Sequence, residues 1–147
     1  MNLINTSNPD LARKLIRESK EKPVIVQSQN PEFDRKMLEY GKFNILLSPE
    51  NSPERDRLKQ LSSDFNHIMA KLATKNNVAI GIDIKSLTSV KDKKLKAIRL
   101  ARIIQNIKVC RKAKTKIKLL NFKNRKNAFD FLISLGASTQ QAKEAID

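Results

Sequence analysis

A chain of 147 residues with 39% apolar content has the length of one domain and enough apolar side chains to bury a single core. Its formal charge of +15 is concentrated: 15 of the 30 Lys and Arg residues lie between Lys91 and Lys126, where Asp92 is the single acid, whereas residues 1–90 carry 14 cationic and 11 acidic side chains. No run of roughly 18 apolar residues occurs, and Met1 to Thr6 show no charged-then-apolar leader pattern, which argues against a membrane span or secretory leader and for a cytoplasmic protein.

In chain order, Leu3-Ile4 is a weak strand signal. Asn8-Pro9-Asp10 then reads as an N-cap, a proline at the first helical position and an acid in the first turn. Val24-Ile25-Val26 is a second strand, followed by another helix start at Asn30-Pro31-Glu32. Asn44-Ile45-Leu46-Leu47 is a third, leading into a polar excursion from Ser48 to Asp56. Leu58, Leu61, Phe65, Ile68, Met69 and Leu72 recur at helical spacing and predict a helix over 58–75. Val78 to Ile84 reads as a fourth strand, Leu100, Ile103, Ile104, Ile107 and Cys110 as the stripe of a long helix, and Ile117 to Leu120 as a fifth strand.

Strand-helix alternation predicts parallel strands with right-handed crossovers. At roughly 30 residues per βαβ unit the chain holds about five strands, while a complete eight-stranded barrel generally needs about 200 residues or more. The expected fold is therefore α/β: a single domain over 1–147, either an open sheet or a reduced, incomplete TIM-barrel-like (β/α) fold with about five parallel strands. Its edge strands need cover from a helix or a partner.

The composition excludes several chemistries. One histidine and one cysteine cannot build a His-rich or Cys-rich zinc site. Three glycines, with no G-x-x-x-x-G-K-[ST] or G-x-G-x-x-G, cannot form a glycine-rich phosphate cradle. Cys110, among Ile103, Ile104 and Ile107, reads as a small core residue. Asp83, near a strand end, stands where α/β catalytic acids stand, but without a partner acid or base it reads as structural. His67 falls on the polar face of the 58–75 helix, about 200° from Phe65.

The run Asn66 to Ala73, followed by Asn76 to Ile84, resembles the core signature of ribonuclease P protein component 3, the thirty-kilodalton subunit family shared by archaea and eukaryotes. Arg99 to Arg102, Asn106 to Lys112, Asn127 to Leu132, Ser134 to Ala137 and Gln141 to Ala145 resemble the rest of that pattern in order. Ile45 to Glu50 resembles the strand and loop before it. The resemblance covers roughly residues 64–146 and implies a shortened member, lacking N-terminal strands of longer relatives. It further implies a barrel-like protein without its own active site, serving an endonuclease whose RNA subunit removes 5′ leaders from precursor tRNA. The implied partners are ribonuclease P RNA, ribonuclease P protein component 2 and, through the complex, precursor tRNA. No cofactor is expected on the protein; Mg²⁺ is required by the RNA.

The resemblance places RNA contact on His67, Lys71, Arg99 or Arg102, and Arg125. The charge pattern points the same way, because neutralising phosphates releases condensed counterions. Arg99 and Arg102 are expected on the outer side of the long helix, Lys108, Arg111 and Lys112 near its C-terminal end, and Lys123, Arg125 and Lys126 at a strand-to-helix connection. Cations at a helix C-terminus also favour the helix dipole, which accounts for Arg111 and Lys112 equally well. Phe33, Phe65, Phe129 and Phe131 fit core spacing, so recognition of RNA shape and backbone is expected rather than base stacking. Two rival readings stand beside this one: a small α/β enzyme on a phosphorylated metabolite, using Asp83 and Lys85, and a generic structured-RNA-binding accessory protein.

Overall fold

The computed structural model describes residues 2–51 and 65–147. Five strands form one parallel sheet: β1 (Asn2–Ile4), β2 (Val24–Gln27), β3 (Ile45–Leu47), β4 (Ala79–Asp83) and β5 (Ile117–Leu120). Their spatial order is their chain order, with Leu46 level with Ile80 and Asp83 level with Leu120. The helices are α1 (Pro9–Glu18), α2 (Pro31–Tyr40), α3 (His67–Lys75), α4 (Ile84–Thr88), α5 (Lys93–Ala113), α6 (Arg125–Ser134) and α7 (Thr139–Ile146), and a 3-10 turn covers Pro49–Asn51.

Right-handed crossovers between successive neighbouring strands place every connecting helix on one face of the sheet. There α1 packs on α2, α2 on α3 and α3 on α5. This is one sector of a (β/α) barrel. β1 and β5 do not pair with each other, so the sheet is open. The strand expectations hold, including the weak one at Leu3-Ile4.

Both faces of the central strands are buried, which explains their nearly unbroken apolar sequences. Val24, Val26, Leu46, Ile80, Ile82, Ile117 and Leu119 join the main core beneath the helices; Ile25, Ile45, Leu47 and Ala79 form a smaller cluster on the other face. Gly81 lies on that second face, where an added Cβ would stand 2.7 Å from Ile45 Cγ2 and 3.0 Å from Leu47 Cδ1.

At the β5 margin, α7 packs against the strand. Lys118 Nζ on β5 donates to the carbonyls of Glu144, at 2.9 Å, and Asp147, at 3.3 Å, fastening the last turn of α7. A helix therefore accompanies one edge strand, as expected. At the other margin Leu3 of β1 is 52% exposed.

The two proline-marked helix starts are built as the sequence dictates. Asn8 Oδ1 accepts from the amides of Asp10 and Leu11, and Asn30 Oδ1 from that of Phe33. The helix expected over 58–75 is corrected. Its residues 58–64, with Leu58, Leu61 and Asp64, lie outside the described residues, and α3 begins at His67 because Asn66 Oδ1 takes the amides of Ile68 and Met69 at 3.0 and 3.1 Å. The buried stripe of α3 is then Met69, Ala70 and Ala73, and Ile68 is 50% exposed. Ile104 likewise leaves the stripe of α5, at 45% exposure.

Candidate nucleic-acid interface

The cations fall into two groups at opposite ends of α5. With 21 residues at about 1.5 Å each, that helix separates them by about 30 Å. At its C-terminal end it meets the C-terminal end of α3, where Thr74 Oγ1 lies 2.8 Å from Thr115 Oγ1 and donates to the Ala113 carbonyl at 3.0 Å. Lys75, Arg111, Lys112 and Lys114 are exposed or half-buried here, with Lys71 and Lys108 one turn back on the same two helices. His67 is exposed at the other end of α3, in its first turn.

The second group surrounds the C-terminal ends of β4 and β5. Lys93 and Lys94 open α5, Lys123 lies in the β5–α6 connection, and Arg125 and Lys126 open α6; all are exposed. Arg125 is tied to Asp147 by a surface ion pair at 3.0 Å. These positions work against the helices that carry them. Cations in a first turn oppose the dipole by a few tenths of a kcal/mol, and α6 has no acid in its first turn and an uncharged cap, Asn124. Arg111 and Lys112, in the last turn of α5, have a helical rationale; Arg125 and Lys126 have none.

Arg102 is a correction. Expected on the outer side of α5, it is 4% exposed, and its Nη1 donates to the carbonyl of Glu50 at 3.1 Å. The inward arc of α5 is wide, taking in Arg102, Ile103, Asn106, Ile107 and Cys110, because the helix packs against the Pro49–Asn51 turn as well as the sheet. Arg99, one turn earlier, is half-buried. Glu50 itself is 5% exposed, and burial pushes its carboxyl up to about 7. Its own backbone amide, Arg99 and the Ser48 hydroxyl oppose that rise, and Asp83 adds to it. Cys110 is buried, as expected, and burial pushes its thiol up to about 12.

Asp83 ties the start of α4 to the end of β5. Its Oδ1 accepts from the amides of Lys85 and Ser86, capping α4, and from Asn121 Nδ2 at 2.8 Å. Asn121 has φ of 62°, a left-handed conformation that asparagine tolerates. The turn it makes aims the β5–α6 connection towards α4. Between them lies an open groove of about 930 Å³. Lys85, Lys96 and Lys123 stand along it, its floor is Leu87, Leu100, Phe122 and Phe131, and no acidic side chain among the described residues lines it. Lys96 and Phe122 escape sequence reasoning; the adjacent Phe122-Lys123 pair was the one local signal. Among the described residues no group of three or more His, Cys, Asp or Glu could hold a metal ion, and no helix is long and apolar enough to cross a membrane.

The fold is that of a chain in the cryo-EM structure of archaeal ribonuclease P with mature tRNA. The two superpose with a TM-score of 0.77 at 23% sequence identity, over 97% of this chain. This chain spans 62% of the length of that neighbour. No protein-family model matches the sequence, and no curated protein matches it.

Proposed function

We propose that this chain is a ribonuclease P protein subunit of the component 3 type. Its cationic side chains hold the backbone of the RNA subunit, which removes 5′ leaders from precursor tRNA. The protein takes no chemical step and holds no cofactor; Mg²⁺ serves the RNA, and component 2 is the protein partner. The observation that carries this reading is the fold likeness to a chain of archaeal ribonuclease P over 97% of this chain. The residues proposed to meet RNA are Lys71, Lys108, Arg111 and Lys112 at one end of α5 and Lys123, Arg125 and Lys126 at the other, with His67 in the first turn of α3 and the half-buried Arg99 within α5. Close-packed RNA backbones repel less once protein cations screen them, so the demand for metal falls.

The test is precursor-tRNA cleavage by the cognate ribonuclease P RNA at low Mg²⁺, with component 2, in the presence and absence of this chain. Restored leader removal at the correct site supports the reading. No stimulation by folded protein, with the RNA active at high Mg²⁺, overturns it. Equal affinity for unrelated structured RNAs at about 0.2 M salt favours a generic RNA-binding accessory protein instead.

A further inference from the structure

We infer that the groove between α4 and the β5–α6 connection is a binding site for single-stranded RNA, in which an unpaired base lies against Phe122 and its flanking phosphates meet Lys85, Lys96 and Lys123. This rests on the RNA-binding reading above and names a different mode of contact from the backbone recognition proposed there.

Three features of the groove carry the inference. The first is its chemistry: a floor of Leu87, Leu100, Phe122 and Phe131 edged by three lysines, with no acid among the described residues lining it. A cationic groove with an aromatic wall is what an unpaired nucleotide requires, since the base offers a flat apolar face and the backbone a charge at every step. The second is its size. About 930 Å³ is at the upper end of the range for small-ligand sites, and the groove is open to solvent, so it has room for a base together with its flanking phosphates. The third is its construction. Phe122 and Phe131 are only half-buried, so both retain face for a ligand. Phe122 is delivered by the left-handed turn at Asn121, which Asp83 holds at 2.8 Å; the same carboxylate caps α4, which carries Lys85. Both walls are thus set by one side chain. The contact is with an unpaired base, because bases stacked in a duplex present no free face to Phe122.

The test uses the full chain and two fluorescent probes, a short oligouridylate and a perfectly paired RNA hairpin, titrated by anisotropy at several salt concentrations. Phe122→Leu keeps apolar volume and removes the stacking face. It is expected to weaken oligouridylate about tenfold, the lower range for removal of one base stack, and to change hairpin affinity less than twofold. Phe122→Trp is expected to retain oligouridylate affinity. The double variant Lys85→Gln/Lys96→Gln is expected to lower the salt slope for oligouridylate by about 0.7 for each phosphate it no longer neutralises. Unchanged oligouridylate affinity in Phe122→Leu, with native circular dichroism, overturns the inference. So does oligouridylate binding too weak to saturate while the hairpin binds, which leaves the RNA-binding reading standing; failure of both probes sinks the two together.

Discussion

Asp83 and Asn121 are joined by a 2.8 Å hydrogen bond that closes the ends of β4 and β5, and the acceptor oxygen also receives the first amides of α4. Replacing Asp83 by Ala removes all three hydrogen bonds and is expected to cost about 1–2 kcal/mol in urea unfolding, the usual range for removal of a cap. Asp83→Asn retains an acceptor oxygen and is expected to stay within about 0.5 kcal/mol of the parent. An Asn variant as unstable as the Ala one would show that the charge, not the geometry, is what the site needs.

Glu50 makes stability fall as pH rises. Its carboxyl, at about 7 when folded against an ordinary 4.5, binds its proton more tightly in the native state. The native state therefore holds more protons than the unfolded chain between those values, and stability declines with pH across that window, by at most about 3 kcal/mol. Below about 4.5 the contribution is complete; above about 7 it is gone. Glu50→Gln mimics the protonated acid, so its melting temperature is expected to exceed the parent's at pH 8 and to match it near pH 4.5. Parallel pH profiles for the two proteins would refute the assignment.

Arg102 and Lys112 are both cations of α5 with opposite fates. Arg102→Gln strands the carbonyl of Glu50 beneath the helix and is expected to destabilise by about 2–3 kcal/mol, as for removal of a hydrogen bond to a buried charge. Its RNA affinity, corrected for folded fraction, stays the same. Arg111→Gln with Lys112→Gln should leave melting within a few degrees, yet lower the slope of log affinity against log salt by about 0.9 for each duplex phosphate that is no longer neutralised. Measuring both quantities on both variants separates the roles.

Gly81 is required by the second face of the sheet. Ala there would press its methyl to 2.7 Å from Ile45 Cγ2 and is expected to cost about 1–3 kcal/mol by overpacking. Combining Gly81→Ala with Ile45→Leu removes the Cγ2 branch that the added methyl meets and should recover part of that loss in chemical denaturation; a purely additive pair would mean that the two side chains do not meet.

Much of the fold is legible in the sequence because its signals are local. The asparagine-proline starts at Asn8 and Asn30 need only a side chain and the next turn. The strands are legible because burial on both faces leaves runs such as Ile45-Leu46-Leu47 apolar throughout. What the sequence hides is position in three dimensions. Apolar spacing runs on through Asn66 without a break and conceals the cap that starts α3. Charge alone places Arg102 outward, since buried guanidinium groups are rare; the carbonyl of Glu50 that receives it lies 52 residues away. The groove is out of reach for the same reason. Lys85, Lys96 and Phe122 come from three separate segments that only the parallel register of β4 and β5 brings to one end of the sheet.

The sheet whose spatial order is its chain order has a kinetic consequence. Each βα unit from β2 onward finds its docking surface on the unit made just before it, so each pairing closes a loop of a few tens of residues rather than the whole chain. Folding can then advance in the direction of synthesis, strand by strand from the ribosome, with the cation-rich segment from Lys91 to Lys126 joining a sheet in which four of the five strands are already made.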